Sequence, residues 1–302
     1  MNNLYQYIKY RLIFYPVLVV IRFFLKKTKT LNHPHFFIIG SGRNGSTLLA
    51  TILNAHKDII IPPEQFLLPY IIIRRYLLFP FNPKAWLKNV KKLYLKKEKT
   101  TNWQIDISSI KLKNGSISEI FNQIFLKYKD KNKKEAKYWG DKSPLNTNFI
   151  KYIYPEFLAA KYIFLIRDPR DVMLSYKKMI KKESKNYYQW YSLMKWEDSI
   201  SSYDYLNNKS EVHLIRYEDL INDTNNEIKK IQSFLNLDII DNLSLFKEDI
   251  DSMGVTNMIH HQNLKKPISN TSIGKWKSEL SEEDLKCFNN RVKLKMKRFN
   301  YY

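Results

Sequence analysis

Short apolar runs alternate with amphipathic stretches along most of this chain of 302 residues. The apolar runs predict buried strands at 36–39, 59–61, 161–166 and 212–216. Apolar residues spaced three or four positions apart predict helices at 46–54, 170–180, 187–206, 225–235 and 282–297. Strands and helices that alternate in this way are typical of an α/β domain, a three-layer α/β/α arrangement with a mostly parallel central sheet.

Two regions depart from this alternation. Residues 1–30 form an apolar and basic N-terminal appendage, and residues 31–302 are interpreted as one domain. Inside that domain, residues 65–137 are aromatic and rich in Lys, with a helical pattern over 117–128. We interpret residues 65–137 as a variable insertion. Such an insertion either shapes a substrate site or covers the sheet without a substrate role, and the sequence leaves both possibilities open.

A glycine-rich turn follows the first predicted strand and reads GSGRNG over residues 40–45. The hydroxyl pair Ser46-Thr47 then opens a helix. A turn of this kind between a strand and a helix points free backbone N–H groups at one spot, which suits an anion such as a phosphate. The spacing is that of a phosphate loop, except that Ser46 replaces the Lys of nucleoside triphosphatases. Because the basic residue of the loop is Arg43, the pattern predicts a P-loop-like fold and disfavours ATP hydrolysis.

A second candidate phosphate element is residues 161–175, KYIFLIRDPRDVMLS. Its apolar start predicts a strand that ends at the Asp-Pro pair 168–169, because Asp suits a helix cap and Pro suits the first helical turn. We then expect Arg167 at the carboxyl end of the strand and Ser175 on the following helix. Ligands of open α/β sheets bind at that edge. A surface ion pair of Arg167 with Asp171 or a neighbouring residue is the alternative interpretation.

Together the two segments resemble the sulfotransferase family, whose members use 3′-phosphoadenosine 5′-phosphosulfate (PAPS). The pattern G-x-x-R-x-G-[ST]-T resembles the family's 5′-phosphosulfate loop, and R-D-P-R-D-x-x-x-S resembles its 3′-phosphate motif. The resemblance implies that PAPS is the co-substrate and that Arg167 and Ser175 bind its 3′-phosphate. It further implies that the 5′-phosphosulfate is bound by loop residues, namely Gly42, Arg43, Asn44, Gly45, Ser46 and Thr47.

Three further segments extend the resemblance to roughly residues 34–285. Residues 139–144, WGDKSP, resemble the Lys-x-Pro element of tyrosylprotein and bacterial members. Residues 216–220, RYEDL, resemble a segment that is common in the family. Residues 274–276, Gly274, Lys275 and Trp276, resemble the loop that closes over the cofactor in the family.

Some positions separate this chain from the cytosolic branch of the family, which has Lys where Arg43 stands. Arg43 and the pair Pro63-Glu64 look closer to the tyrosylprotein, Golgi-type and bacterial branches, in which a Glu soon after the loop helix is the base. Tyrosylprotein members carry a Ser ahead of a Lys-Pro pair. This chain has His260-His261 in that place, ahead of Lys266-Pro267. We therefore favour a saccharide or glycolipid acceptor, followed by another small alcohol and then by protein tyrosine.

The reaction implied by the resemblance is sulfuryl transfer from PAPS to an acceptor hydroxyl. In-line transfer needs a base, positive charge near the developing negative charge, and alignment of the acceptor oxygen with the sulfuryl group and its leaving oxygen. Glu64 is the candidate base, because it follows the second predicted strand and should reach the same edge as the loop. Arg43 and Lys142 are the candidate charge stabilisers, and no metal is expected. The alternatives for Glu64 are a solvent-facing loop residue or a carboxylate at the start of a helix. The alternative for Lys142 is a local ion pair with Asp141.

The charge and the cysteine content of the chain bear on whether it binds nucleic acid, forms a disulfide or holds a metal. The net charge is +22, from 51 Lys and Arg against 29 Asp and Glu. These basic residues lack the aromatic interleaving of a nucleic-acid surface, so we expect no nucleic-acid partner. The single cysteine, Cys287, cannot form an intramolecular disulfide, and we interpret it as a core-side helix residue. The sequence has no cluster of Cys and His residues that would predict a metal site. His56 is interpreted as a structural residue.

The N-terminal apolar run, residues 12–25, includes Pro16 and Arg22 and is shorter than the roughly 20 residues that a spanning helix needs. Aromatic residues and flanking Lys and Arg suit a membrane surface. We therefore expect a cytoplasmic protein with peripheral membrane association through residues 4–25. A packed N-terminal helix and a Golgi-type signal anchor are the alternatives.

Two other functions remain open from the sequence. A P-loop kinase-like phosphotransferase would need a Lys in the loop and an acidic Mg²⁺ ligand after an apolar strand. This chain has Ser46 in place of the Lys and Arg167 in place of the acidic ligand. A non-enzymatic basic protein that binds membranes or nucleic acid would show binding that falls steeply with salt.

Overall fold

In the computed structural model, the described residues are 12, 15–24, 35–101, 103–111, 116–180, 185–246 and 268–302. The pairs His260-His261 and Lys266-Pro267 lie outside these ranges, as do residues 4–11, 13–14 and 25. No described helix is both long enough and apolar enough to cross a membrane.

Five strands form one sheet, and every pairing among the described strands is parallel. Their spatial order is β2-β3-β1-β4-β5. This confirms the predicted P-loop-like three-layer α/β/α fold, and parallel pairing brings the carboxyl ends of all five strands to one edge. The strands are β1 (His35–Ile39), β2 (Ile59–Ile60), β3 (Tyr138–Lys142), β4 (Lys161–Ile166) and β5 (Val212–Arg216).

Helices cover both faces of the sheet. They are α1 (Tyr15–Phe24), α2 (Ser46–Asn54), α3 (Leu67–Ile73), α4 (Pro83–Thr101), α5 (Ile117–Asn132), α6 (Pro144–Asn148), α7 (Ile150–Ile153), α8 (Pro169–Met179), α9 (Lys185–Asn207), α10 (Tyr217–Asn222), α11 (Thr224–Leu235), α12 (Trp276–Glu279), α13 (Glu282–Lys286) and α14 (Asn290–Arg298). A π-helix spans Arg74–Leu78, and 3-10 turns span Tyr154–Glu156, Leu243–Phe246 and Asn270–Ser272.

The core has two apolar layers, because successive side chains of a strand point to opposite faces of the sheet. Phe37 and Ile39 of β1 belong to the layer that includes residues of α3, α4, α5, α8 and α9. Phe36 and Ile38 belong to the layer that includes residues of α2 and α11. All five residues of β1 are buried, as expected for a central strand of a parallel sheet.

Two details differ from the sequence-based expectations. β3 was not predicted as a strand, because YWGDK carries a glycine and two charged residues where buried strands usually carry Val or Ile. The predicted final helix, 282–297, is two helices, since Asn289 caps α14 by accepting a hydrogen bond from the Val292 N–H at 3.2 Å. Cys287 follows α13 at this break and packs, partly buried, against the core.

Residues 65–137 fold into α3, the π-helix, α4 and α5, which pack on one face of the sheet. Two buried polar contacts tie this insertion to the rest of the domain. The Trp103 indole N–H donates to the Pro63 carbonyl at 3.0 Å, and the Tyr76 hydroxyl donates to the Glu156 carboxylate at 3.0 Å. The first contact fixes the backbone immediately before Glu64.

Candidate active site

The glycine-rich turn connects β1 to α2 and is held by side chains of neighbouring elements. Asn44 is buried, and its Nδ2 donates to the Leu165 carbonyl at 2.6 Å. The Thr147 hydroxyl accepts from the Gly40 N–H at 3.0 Å and donates to the Gly40 carbonyl at 2.9 Å. Because these bonds join the turn to β4 and α6, the turn has a fixed shape before any ligand binds.

Two glycines of the turn are required by close contacts and by positive φ angles. Gly45 has φ 93°, and a Cβ there would lie 2.3 Å from the Tyr217 ring. Gly42 has φ 74°, and a Cβ there would lie 2.9 Å from the Tyr176 hydroxyl. Arg43, between them, has φ 56°, which is uncommon for a residue with a side chain and recurs at ligand-binding sites.

The two phosphate motifs are in direct contact. Arg43 Nε donates to Ser175 Oγ at 3.0 Å, and Arg167 Nη1 donates to the Arg43 carbonyl at 3.2 Å. Arg167 Nη2 donates to the Ser272 carbonyl at 2.6 Å, and its guanidinium carbon lies 4.4 Å from the centre of the Tyr217 ring. Arg167 Nε is buried without a hydrogen-bond partner among the described residues. Leaving a buried donor unpaired costs free energy, which a hydrogen bond to a bound anion would offset.

Burial lowers the pKa of Arg43, and the charge of Arg167 lowers it further. Both effects penalise the cationic form of Arg43. An anion between the two guanidinium groups would offset this penalty. The electrostatics of the cluster therefore favour an anionic ligand.

The loop that contains Gly274, Lys275 and Trp276 is tied to α8. Asp171 Oδ2 accepts from the Gly274 N–H at 2.8 Å, and Asp171 Oδ1 accepts from the Trp276 N–H at 3.1 Å. The guanidinium carbon of Arg170 lies 3.8 Å from the centre of the Trp276 ring. Lys275 is exposed. The loop is thus positioned by the same motif that carries Arg167.

Glu64 and Lys142 form an ion pair beside the glycine-rich turn. Lys142 ends β3 with its side chain 2% exposed, and Glu64 follows the neighbouring strand β2 with its side chain 26% exposed. The Lys142 ammonium contacts Glu64 Oε1 and donates to Thr47 Oγ1 at 3.2 Å. A carboxylate, an ammonium and a loop hydroxyl therefore meet at the carboxyl edge of the sheet. Ser46 is partly buried at the start of α2.

The two ion pairs considered as alternatives are not the contacts that form. The Asp171 carboxylate binds backbone N–H groups of the loop 274–276, and Arg167 binds backbone carbonyls. Lys142 pairs with Glu64, while the buried Asp141 accepts from Asn146 Nδ2 at 2.6 Å.

Some residues that support the site were not recognised as such in the sequence. Glu218 accepts from the Asp168 N–H at 3.0 Å and from the Tyr301 hydroxyl at 2.8 Å. The Trp196 indole donates to the Arg167 carbonyl at 3.0 Å. The RYEDL segment was the only signal for Glu218, and no local pattern pointed to Trp196 or Tyr301.

His56 has a structural role, as interpreted from the sequence. Its Nδ1 accepts from the Asp58 N–H at 3.1 Å, and its Nε2 lies 3.0 Å from the Asp238 carbonyl oxygen. In the part of the chain that the structure describes, no group of three or more His, Cys, Asp or Glu could hold a metal ion.

Asp141 provides a test of the electrostatics near the site. Burial raises the pKa of its carboxyl group to about 7. The folded state then binds the proton more tightly than the unfolded state, so the contribution of Asp141 to stability falls as the pH rises from about 4 to about 7. Asp141→Asn removes this titration. We expect the variant to gain about 2–3 kcal/mol relative to the wild type between pH 5 and pH 8.

Thermal or denaturant unfolding at the two pH values measures this difference. Asp106→Asn is the control, because Asp106 is exposed and its pKa is lowered, so it stays ionised throughout this range. A stability difference between Asp141→Asn and the wild type that is the same at pH 5 and pH 8 would contradict the buried, titrating carboxyl group.

The family model described as "Sulfotransferase family" matches residues 34–241, more than half of the chain. This chain belongs to the sulfotransferase family, an enzyme family, as the resemblance of the two phosphate motifs predicted.

Solved structures of two sulfotransferase domains have the same fold. The domain from the Synechococcus PCC 7002 olefin synthase is 22% identical, with a TM-score of 0.58 over 87% of this chain and 96% of that chain. The domain from the curacin biosynthetic pathway is 23% identical, with a TM-score of 0.56 over 86% of this chain and 97% of that chain.

One curated relative is a protein-tyrosine sulfotransferase of Drosophila melanogaster. It is 27% identical over 137 residues, which are 45% of this chain and 24% of that protein. The match therefore spans about a quarter of the length of the relative.

Proposed function

We propose that the protein transfers the sulfuryl group of PAPS to an acceptor hydroxyl, which belongs to a saccharide or a glycolipid. The observation that carries the proposal is the contact of Arg43 with Ser175, which joins the two phosphate motifs in one cationic cluster. A nucleotide with phosphate groups at both its 3′ and 5′ positions needs two such subsites close together. Membership of the sulfotransferase family supports the same activity.

The residues present fit this nucleotide. Residues 42–47 would hold the 5′-phosphosulfate through backbone N–H groups and the Arg43 side chain. Arg167, with its unpartnered Nε, and Ser175 would hold the 3′-phosphate, and residues 274–276 would close over the nucleotide. When bound, PAPS supplies the activated sulfuryl group.

The Glu64–Lys142 pair supplies the remaining chemistry in this proposal. Glu64 Oε1 contacts Lys142, whereas Oε2 has no hydrogen-bond partner among the described residues. Oε2 would therefore take the proton of the acceptor hydroxyl. The Lys142 ammonium and the Arg43 guanidinium provide fixed positive charge where negative charge develops.

The class of acceptor is the finer part of the proposal. A saccharide or glycolipid is favoured by the sequence pattern at His260-His261, which lies outside the described residues. Another small alcohol and then protein tyrosine follow in the order from the sequence, and protein tyrosine is also supported by the Drosophila relative, which is a protein-tyrosine sulfotransferase. Incubation of the protein with PAPS and a library of saccharides, glycolipids, small alcohols and tyrosine peptides tests this order by mass spectrometry. Sulfation of the tyrosine peptides alone would overturn the favoured acceptor.

The nucleotide assignment predicts selective thermal stabilisation. Adenosine 3′,5′-bisphosphate, the desulfated product, should stabilise the fold by about 2.7 kcal/mol at 100 times its dissociation constant. At equal concentration AMP should stabilise less, because it lacks the 3′-phosphate that Arg167 and Ser175 would bind. Equal shifts in Tm with the two nucleotides would contradict the assignment, and Mg²⁺-dependent turnover of ATP would favour a phosphotransferase instead.

A further inference from the structure

The N-terminal helix α1 buries one side and exposes an apolar one. Leu18 is buried, and Ile21 packs against the same core layer. The opposite side includes Val20 and Phe23, and the Phe23 side chain is 84% exposed. Val17 and Val19 are also exposed. Adjacent exposed apolar residues of this kind mark a contact surface.

The apolar surface continues on the element beneath α1, which is the π-helix. Leu18 of α1 and Tyr76 of the π-helix belong to the same buried cluster. Leu78, at the end of the π-helix, is exposed, and Phe81, just beyond it, is 89% exposed. Two neighbouring segments of the fold therefore present large apolar side chains to solvent.

Helix α4, which also packs against the π-helix, carries a stripe of basic residues. Arg75 of the π-helix joins the two elements, since its guanidinium carbon lies 5.4 Å from the centre of the Trp86 ring. Residues four apart on a helix share one face, so the stripe is a single line about 18 Å long. It consists of four exposed lysines, Lys84, Lys88, Lys92 and Lys96.

Acidic residues are nearly absent from this part of the chain. The first 97 residues include sixteen Lys and Arg but only two acids, Asp58 and Glu64. Asp58 is buried and pairs with Lys137 at 3.2 Å, and Glu64 pairs with Lys142. Neither carboxylate is therefore free to offset the charge of the basic stripe.

We propose that α1, the π-helix with Leu78 and Phe81, and the lysine stripe of α4 form a docking surface for an anionic lipid bilayer. Apolar side chains of a surface helix enter the boundary between headgroups and acyl chains, and lysines beside them attract anionic headgroups. Exposed valine and phenylalanine favour a bilayer over nucleic acid, which offers no apolar phase. A second copy of the chain is disfavoured, because each copy carries a net charge of +22.

A short helical segment connects this surface to the candidate active site. Helix α3 begins at Leu67, three residues after Glu64, and continues directly into the π-helix. About 18 Å of helix therefore separates the start of α3 from Leu78. One continuous helical segment would therefore join the bilayer contact to the candidate active site.

Co-sedimentation of the full chain with lipid vesicles tests the proposal. We expect binding to vesicles of phosphatidylcholine with phosphatidylglycerol, and much less binding to phosphatidylcholine alone or at high salt. Lys88→Glu with Lys92→Glu, and separately Val20→Asp with Phe23→Asp, should each lower the partition constant at least about tenfold. Leu294→Asp is the matched control, because Leu294 is 69% exposed on α14 and its substitution should leave binding unchanged.

Thermal stabilisation by adenosine 3′,5′-bisphosphate, measured without vesicles, should be the same in all these variants. That readout shows that the variants are folded, and it separates a failure of this proposal from a failure of the proposed function. Four outcomes would each overturn the docking surface: no binding of the wild type to anionic vesicles at low salt, equal binding by all variants, preferential binding to single-stranded DNA, or a dimer that Phe23→Asp dissociates.

Discussion

Glu64→Gln is expected to lower the rate of sulfuryl transfer by roughly 10²–10⁴-fold while leaving nucleotide affinity unchanged. The amide cannot take a proton from the acceptor, but it is nearly isosteric with the carboxylate and its oxygen can still accept from Lys142. The fold should therefore survive the substitution. Single-turnover measurements with saturating PAPS and acceptor isolate the chemical step, and calorimetry reports nucleotide affinity.

Glu197→Gln is the matched control for this experiment. Glu197 is 23% exposed, similar to Glu64, and its carboxylate lies 2.7 Å from the Lys295 ammonium. This ion pair is not part of the candidate site. Its substitution should leave single-turnover transfer unchanged. Near-normal transfer by Glu64→Gln would exclude Glu64 as the base, and the pair His260-His261 would be the next candidate.

Arg167→Ala should weaken the binding of adenosine 3′,5′-bisphosphate by about 10–150-fold, since a hydrogen bond to a charged group contributes about 1.5–3 kcal/mol. Arg167 also binds the carbonyls of Arg43 and Ser272, so part of this loss would come from a displaced loop. Arg167→Lys retains the charge without the planar fork and should show an intermediate affinity. Ser175→Ala should cost less, because it removes one neutral hydroxyl.

The comparison with AMP isolates the contribution of the 3′-phosphate. In Arg167→Ala the preference for adenosine 3′,5′-bisphosphate over AMP should largely disappear, whereas a displaced loop alone would weaken both nucleotides equally. Arg298→Ala is the control, because Arg298 is a half-exposed arginine that pairs with Asp204 at 2.6 Å. Unchanged affinity in both Arg167→Ala and Ser175→Ala would contradict the 3′-phosphate assignment.

The sheet could be predicted from the sequence where strands are apolar and end at clear signals. β1 ends at the glycine-rich turn, and β4 ends at Ile166, just before Asp168-Pro169. Asp168 caps α8 by accepting from the Arg170 N–H, as expected. β3 was missed as a strand because Gly140, Asp141 and Lys142 do not have the composition of a buried strand. Gly140 is nevertheless required there, since a Cβ would lie 2.5 Å from the Phe36 ring of the neighbouring strand.

The residues of the candidate site could be selected by motif, but their contacts could not. Lys142 lies beside Glu64 because β3 pairs with β2, and the sequence alone does not specify this strand order. The contact of Asp171 with Gly274 joins residues 103 positions apart, and the bond from Tyr301 to Glu218 joins residues 83 positions apart. Such contacts depend on tertiary packing rather than on local propensity.

The hydrogen bond between Arg43 and Ser175 also bears on how sequences of this family diverge. The two residues are 132 positions apart, yet each is a direct partner of the other. A substitution at position 43 that withdraws the Nε donor leaves the hydroxyl at position 175 without this partner, and a large residue at position 175 would displace the guanidinium. Residues in such direct contact tend to change together, so positions 43 and 175 should covary among relatives that share this loop.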